Sequence, residues 1–315
     1  MKLAVVTPVF NDWESFARLS HEICQVMESL NAEYEIIAVN DDSLIPPDPS
    51  RFASHCSVVN LTCNVGHQRA IAIGLSWLAD NVECDAAIVM DSDGEDKPGD
   101  IPGLVQQARD NPGAIVVARR DKRSEGAAFR AGYQLYQWLF YLFTGKRLPF
   151  GNFCLLPASV LRRLIYRESL WNHLAATVLR SGLPLVYLST ARGRRYAGES
   201  RMNPGNLVLL GFSAISVYSD MALLRVLIVT LLFSLVAVGG IAVTLFIRFF
   251  TGLAIPGWAS SVVGSMAIII VQCLVVSVSL LFVVLSSRSQ GGFVVARRYD
   301  EYLLTVERPG LDSAA

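Results

Sequence analysis

Four carboxylates, Asp91, Asp93, Glu95 and Asp96, crowd into six residues directly behind the apolar run Ala86–Met90. Alternating carboxylates just past a strand can converge on a hard divalent cation, and such a cation can hold a diphosphate. Asp91, Asp93 and Glu95 are therefore the candidate ligands of Mg²⁺ or Mn²⁺. A calcium-binding EF-hand loop does not fit: its sixth position would be Asp96 where Gly is needed, and its twelfth Pro102 where Glu is needed. A solvated acidic loop is the plainer reading of the same cluster.

Three further polar stretches punctuate the N-terminal half: Pro8-Val9-Phe10-Asn11-Asp12, Asn40-Asp41-Asp42-Ser43 and Asn64-Val65-Gly66-His67-Gln68. Each needs an element to carry it. Leu3–Pro8, Glu35–Val39, Ala86–Met90, Ala114–Ala118 and Leu185–Leu188 read as strands. Behind Asp12, a plausible N-cap, Phe16, Leu19, Ile23, Val26, Met27 and Leu30 fall on one helical face. A second helix is expected around Arg69–Ala79. Short apolar runs alternating with helical stretches over residues 1 to about 215 are the pattern of an α/β domain. Ligands of open α/β sheets bind beyond the carboxyl ends of the strands, so the polar stretches predict one shared cleft.

The chain as a whole has 315 residues, 27 Lys+Arg against 27 Asp+Glu, only 17% charged residues and a mean hydropathy of +0.42. Disorder, a nucleic-acid-coating role and an all-soluble enzyme fit these values poorly. The excess is concentrated: Val226–Ile247 is 22 residues without a charge and Phe249–Ser287 is 39 more. At about 1.5 Å per residue, a run of that length crosses a hydrocarbon core of about 30 Å. Two membrane helices are expected, at about 224–248 and 260–286. Arg192, Arg194, Arg195, Arg201 and Arg225 precede the pair and Arg288, Arg297 and Arg298 follow it, which places both ends in the cytoplasm. The opening MKLAVVTPVFND is too short and too interrupted for a signal peptide. Six cysteines show no C-x-x-C spacing, as expected of incidental thiols in a reducing compartment.

In order and interval, the polar stretches and the D-x-D strongly resemble family 2 glycosyltransferases of GT-A fold. That family's pattern is close to P-x-Y-N-E, then D-D/G-S, then N-x-G, then D-A-D. Asp12 stands where the family has Glu, Phe10 where it often has Tyr, and Asp42 where it often has Gly. Within the family, Arg195-Tyr196-Ala197-Gly198-Glu199-Ser200-Arg201 resembles the R-x-x-G-x-S-K/R element of polyprenyl-phosphate glycosyltransferases, such as dolichol-phosphate mannose synthase and bactoprenol glucosyltransferases. Gly151-Asn152-Phe153-Cys154-Leu155 resembles their G-D-F-R-L segment, with Asn152 in place of an Asp sometimes assigned a base or metal role. The helix pair and the tail Val306-Glu307-Arg308-Pro309 also resemble the bacterial members, so the likeness covers nearly the whole chain.

The resemblance implies an α/β GT-A domain over 1–203, an interfacial amphipathic helix over 204–223, a two-helix transmembrane hairpin within 224–287 and a cytoplasmic tail over 288–315. It implies transfer of one hexose-type sugar from a UDP- or GDP-sugar to polyprenyl (undecaprenyl) phosphate at the cytoplasmic face of the cell membrane. Pro8, Asn11, Asp12, Asp41, Asn64, Gly66, Asp91 and Arg120 would bind the nucleotide sugar. Asp93, Asn152 and Arg130 would serve catalysis, and Arg130, Arg195, Ser200 and Arg201 the lipid phosphate. A lipid monophosphate has its second pKa near 6 and is mostly dianionic at neutral pH, so it needs positioning more than a base at 152. For Arg119 and Arg123 a belt attracted to anionic lipid is the competing expectation. Ala131–Lys146, with Tyr133, Tyr136, Phe140 and Phe143 on one face, suits either a membrane interface or a core. Membrane lipids are the further partner, with a homo-oligomer and a flippase as candidates and nucleic acid excluded. His21, His55 and His173 read as surface or structural; His67 differs only by its place near the cleft. Two rivals remain: an aspartate-nucleophile phosphatase of haloacid-dehalogenase type, and a catalytically silent homologue that hands polyprenyl phosphate to a flippase. The phosphatase motif continues with Thr near the N-terminus, whereas here Glu95 follows.

Overall fold

The structure is a computed structural model that describes residues 1–120, 127–196, 204–251, 257–289 and 292–308; within its helices the side chains of 127–131, 133, 204–207 and 287–289 are not described. The strands are β1 (Lys2–Val9), β2 (Glu33–Asn40), β3 (Cys56–Leu61), β4 (Ala86–Val89), β5 (Ile115–Arg120), β6 (Cys154–Pro157), β7 (Leu185–Thr190) and β8 (Leu303–Glu307). Among the described residues they form one sheet in the order β7-β5-β6-β4-β1-β2-β3-β8. The β1–β2, β1–β4, β2–β3 and β5–β7 pairs are parallel, while β6 runs antiparallel to both β4 and β5, and β8 antiparallel to β3.

The central strands are near-continuous apolar runs because both of their faces are covered. Leu3, Val5, Ile36, Val58 and Ile88 are fully buried in one core. Helix α1 (Trp13–Ser29) seals it with Phe16, Leu19, Ile23 and Met27, the stripe expected from spacing. Asp12 sits at the N-cap of α1, but its side chain makes no capping hydrogen bond. Helix α2 (His67–Asn81) begins two residues earlier than expected, directly behind Gly66 at φ +92°. Helices α3 (Ile101–Asp110), α4 (Ala127–Thr144), α5 (Ala158–Leu164), α6 (Leu174–Arg180) and α7 (Pro204–Ser216) complete this unit, apart from the last turn of α4.

One register decides where the site forms. Val89 of β4 pairs with Cys154 of β6 in the antiparallel direction. Running that register two residues further sets Asn152 opposite Asp91. Asn152 is thus delivered to the head of the acidic loop by strand pairing. At the other edge, β8 is anchored to β3 by Asn60, whose Nδ2 donates to Thr305 Oγ1 at 2.9 Å and Glu307 Oε1 at 2.9 Å. Trp171 lies tilted against Phe293 and Tyr302, ring centroids 4.3 and 5.3 Å away, and holds the returning chain.

The second compact unit contains α8 (Ser219–Phe250) and α9 (Trp258–Ser289), both long and apolar enough to cross a membrane. Within it, Thr230 and Ser277 hydroxyls lie 3.0 Å apart across the two helices, and Gly240 makes room for Met266. Leu235, Val236 and Phe282 face outward uncovered. Of the aromatic face expected on α4, Phe140 is fully buried, whereas Trp138, off that face, is exposed.

Gly74 in α2 lets the helix lie directly on the sheet: a Cβ there would stand 2.4 Å from Val39 Cγ2 and 2.9 Å from Val6 Cγ1. Gly74→Ala should therefore lower stability by about 1–3 kcal/mol through overpacking. The check is the urea midpoint of tryptophan fluorescence in detergent; an unchanged midpoint would mean that α2 can lift off the sheet without cost.

Candidate active site

The loop behind β4 folds the four carboxylates back on one another. The Asp93 Oδ1 accepts from the Glu95 backbone N–H at 2.9 Å, and Asp96 Oδ2 accepts from the Asp91 N–H at 3.1 Å. Gly94 turns the loop at φ +83°, a left-handed conformation that glycine adopts without strain. The ring of Tyr196 lies where a Cβ on residue 94 would be, at 2.6 Å.

Guanidinium groups balance the charge. Arg195 donates to Asp93 Oδ2 from Nη2 at 2.6 Å and from Nε at 3.2 Å. Arg192 donates to Glu95 Oε1 at 2.6 Å. Arg120, from the end of β5, donates to Asp96 Oδ1 at 3.0 Å and has Nη1 3.6 Å from Glu95 Oε2. Charge-assisted bonds of this length are the strong kind. The Arg192–Tyr196 segment is strapped to the loop by its backbone too: Gly193 N–H donates to Glu95 O at 2.8 Å and Tyr196 N–H to Asp93 O at 2.9 Å. Tyr196 then anchors the strap on α1 by donating to Glu22 Oε2 at 2.6 Å, with Arg18 over its ring.

Asp41 is almost wholly buried, and its two carboxylate oxygens accept from Val65 N–H at 2.7 Å and Gly66 N–H at 3.0 Å. Asn64 Nδ2 donates to Asp41 O at 3.0 Å. Asp41 therefore shapes the N-x-G loop. Asn11, at φ 52°, likewise braces a neighbour, accepting from Leu44 N–H at 2.8 Å. Pro8 is buried in β1, and Asp12 lies at its far end near Arg195. His67 Nε2 stands 3.2 Å from Asp91 Oδ1 and 3.0 Å from Asn152 Nδ2. Asn152 Oδ1 accepts from Gln68 Nε2 at 3.0 Å. Asp91 Oδ1 itself is buried, and His67 and Asn152 are the hydrogen-bonding neighbours of this carboxylate.

Titration follows this layout. Burial raises the Asp93 carboxyl, and Asp91 beside it adds to the rise while Arg195 opposes it. Burial works against the Asp91 carboxylate, but His67 and Arg120 outweigh it and hold the group below the usual range. For His67, burial opposes the charged ring and the Asp91, Asp93 and Asp41 carboxylates draw it up. Asp41 is raised, chiefly by burial, against its two backbone donors.

The structure thus brings Asp12, Asp41, Asn64, Gly66, Asp91, Asp93, Glu95, Arg120, Asn152 and Arg195 to one sheet edge. Arg130 lies on α4 with its side chain outside the description, and Ser200, Arg201 and Arg123 lie outside the described residues. Arg119 points elsewhere, over Tyr187. Sequence reading assigned no site role to Arg192 or Gln68; the one available signal for Arg192 was its spacing of three from Arg195 behind a strand. Among the described residues no three carboxylate, imidazole or thiol groups converge as a closed metal site, because Asp93 and Glu95 are turned to arginines.

Burial pushes the Asp96 carboxyl up to about 7, with Asp91 adding and Arg120 opposing. The folded protein keeps a proton there that the unfolded chain releases near pH 4. Stability from this group is therefore lost as pH rises from about 4 to about 7. In EDTA, Asp96→Asn should flatten the fall of melting temperature across that window; an unchanged slope would put the proton elsewhere.

Residues 4–172 match the profile described as Glycosyl transferase family 2. Glucosyl-3-phosphoglycerate synthase from Mycobacterium tuberculosis, crystallised with Mn²⁺, uridine-diphosphate-glucose and phosphoglyceric acid, is 16% identical to this chain. The superposition has a TM-score of 0.50 and covers 70% of this chain and 79% of that one, a likeness of fold. Mannosyl-3-phosphoglycerate synthase from Rubrobacter xylanophilus is 15% identical, with a TM-score of 0.49 over 70% of this chain and 73% of that one. With more than half of its length matched and the acidic loop at the expected strand end, the chain belongs to glycosyl transferase family 2, with the GT-A fold.

Proposed function

We propose that this chain transfers a single sugar from a UDP- or GDP-hexose to polyprenyl phosphate at the cytoplasmic face of the cell membrane. The observation that carries this reading is the strap. The segment that leads into the R-x-x-G-x-S-R element is bonded to the acidic loop through Asp93 and Glu95. Arg195, one of the residues assigned to the acceptor phosphate, is therefore bonded to the donor's loop, in a chain with two helices fit to enter a membrane.

The donor set suits Mg²⁺ or Mn²⁺. Its oxygens are hard, and three carboxylates, Asp91, Asp93 and Glu95, stand on one loop behind β4. Asp91, Asp93 and Glu95 would hold the ion, which when bound supplies charge neutralisation for the diphosphate leaving group. Asp12 and the loops braced by Asn11 and Asp41, with Pro8, Asn64 and Gly66, frame the base and ribose. Arg120 lies at the edge of the acidic loop and faces the diphosphate. Arg130, Arg195, Ser200 and Arg201 bind the lipid phosphate, whose planar partner is a guanidinium fork. Arg195 reaches that phosphate by leaving Asp93, an exchange that needs another cation to balance the loop. The phosphate arrives already dianionic, so Asn152 acts by hydrogen bonding, not as a base. A homo-oligomer and a flippase that takes the lipid-linked product are the partners this reading adds.

Detergent-purified protein given undecaprenyl phosphate, Mn²⁺ or Mg²⁺ and labelled UDP- or GDP-sugars should move label into the organic phase. Asp93→Ala, or EDTA, should abolish that transfer with the melting curve retained; full activity without either would sink the reading. Arg201→Ala should raise KM for the lipid at least tenfold and leave KM for the sugar donor within about twofold. Equal changes in both would remove Arg201 from the acceptor site.

A further inference from the structure

We propose that α9 pairs with α9 of a second copy of this chain, the two Gln272 side chains hydrogen-bonding to each other midway through the membrane. The inference rests on the reading of α9 as a membrane span, and it names the helix face and the residue through which two copies meet.

Gln272 stands midway in the 29-residue apolar span Trp258–Ser286. Its side chain is exposed, and among the described residues it has no hydrogen-bond partner. The hairpin does not supply one. Met266 and Ser277 mark the face of α9 that meets α8, against Gly240 and Thr230. By that antiparallel pairing Ser234 is the α8 hydroxyl at the level of Gln272, and it donates to the Thr230 carbonyl of its own helix at 2.9 Å.

On a soluble helix an exposed glutamine is simply hydrated. At the centre of a hydrocarbon core there is no water, and an amide without a partner is costly. The ends of the span are about 20 Å away at about 1.5 Å per residue, too far for this side chain to reach the interface. Polar side chains at such depth accordingly face other protein.

Two features select a second copy as that protein. Identical chains insert the same way round, so their Gln272 residues lie at one depth; any other partner must carry a polar group at that level. A primary amide is also self-complementary, each NH₂ donating to the other's oxygen, as a two-fold pair requires. The surrounding face fits the same use. Ser261, Ser265, Ile268, Gln272, Val275 and Ser279 are all exposed and follow the alternating four-and-three spacing of a helix–helix seam. The serines are small enough to let two helices approach closely. A single polar residue in such a seam fixes register and partner number.

The test uses the full-length chain in native membranes and in lipid vesicles. The photo-cross-linker p-benzoylphenylalanine, placed at Ile268 on the Gln272 face, should join two copies into a species of twice the chain mass. The same probe at Leu274 or Leu281, exposed on another face of α9, should not. In dilute vesicles, where copies are counted by single-molecule photobleaching, Gln272→Leu should weaken self-association at least threefold although it makes the span more apolar. Gln272→Asn keeps the amide and should stay closer to the native value, and Leu274→Ala should match it.

Cross-linking at Ile268 to a different protein or to none, equal yields from both faces, or unchanged self-association in Gln272→Leu would each overturn the proposal. If Gln272→Leu does not insert, the cross-linking decides alone. Extraction with alkaline carbonate separates the two readings. Protein that stays in the membrane pellet as single copies defeats the pairing only, whereas protein released to the supernatant defeats the membrane span and the pairing with it. Pairing as expected in protein that transfers no sugar would support the interface while defeating the proposed activity.

Discussion

Carboxylates packed into one short loop repel one another, and the surrounding fold is arranged to absorb that repulsion. Two like unit charges about 4 Å apart oppose each other by about 4 kcal/mol at an effective dielectric of about 20. Asp91, Asp93, Glu95 and Asp96 are met by Arg120, Arg192 and Arg195, and burial raises the Asp96 carboxyl to about 7. The compensating arginines come from two places: Arg120 from the end of β5, and the other two from the segment behind β7. Because β5 and β7 are parallel neighbours, with Arg120 opposite Thr190, both segments leave the sheet side by side. The sheet order is what makes the charge balance available.

The strap also ties the acidic loop to helix α1 in one piece of chain. Gly94 has no side chain, Tyr196 fills the space above it, and Glu22 on α1 holds the phenol. A change of pairing at Asp93 is felt at once at Arg195, which is itself the first residue of the R-x-x-G-x-S-R element.

Much of this was legible in the sequence because it is local. Alternating carboxylates behind an apolar strand and an N-x-G turn before a helix declare themselves within a dozen or so residues, and the long uncharged runs within one continuous stretch each. The stripe Phe16, Leu19, Ile23 and Met27 is likewise a short-range pattern, and all four are buried. What escaped is non-local. Strand β6 is four residues long and is recognisable only through its antiparallel place between β4 and β5. Gln68 looks like an ordinary polar residue in a helix's first turn until Leu174, 106 residues away, pins it. Asp41 reads as a ligand by its motif, yet its oxygens are turned toward a loop 24 and 25 residues on. Asp12 stands at a helix start with the right chemistry for a cap and makes none, since a cap depends on a side-chain rotamer that spacing does not specify.

The outermost strand gives the sheet a history as well as a shape. Asn60 waits for Thr305 and Glu307, which the ribosome adds some 245 residues later. At about 5–20 residues per second, that is a delay of roughly ten to fifty seconds. Through that interval β3 presents an unpaired edge, with a side-chain amide that has yet to find two of its partners, while two long apolar helices are still being made. An open strand edge invites pairing with other chains. Closing the sheet with a strand from beyond the two apolar helices therefore makes completion of this unit wait on their synthesis, so that a chain cut before β8 is marked by an exposed edge.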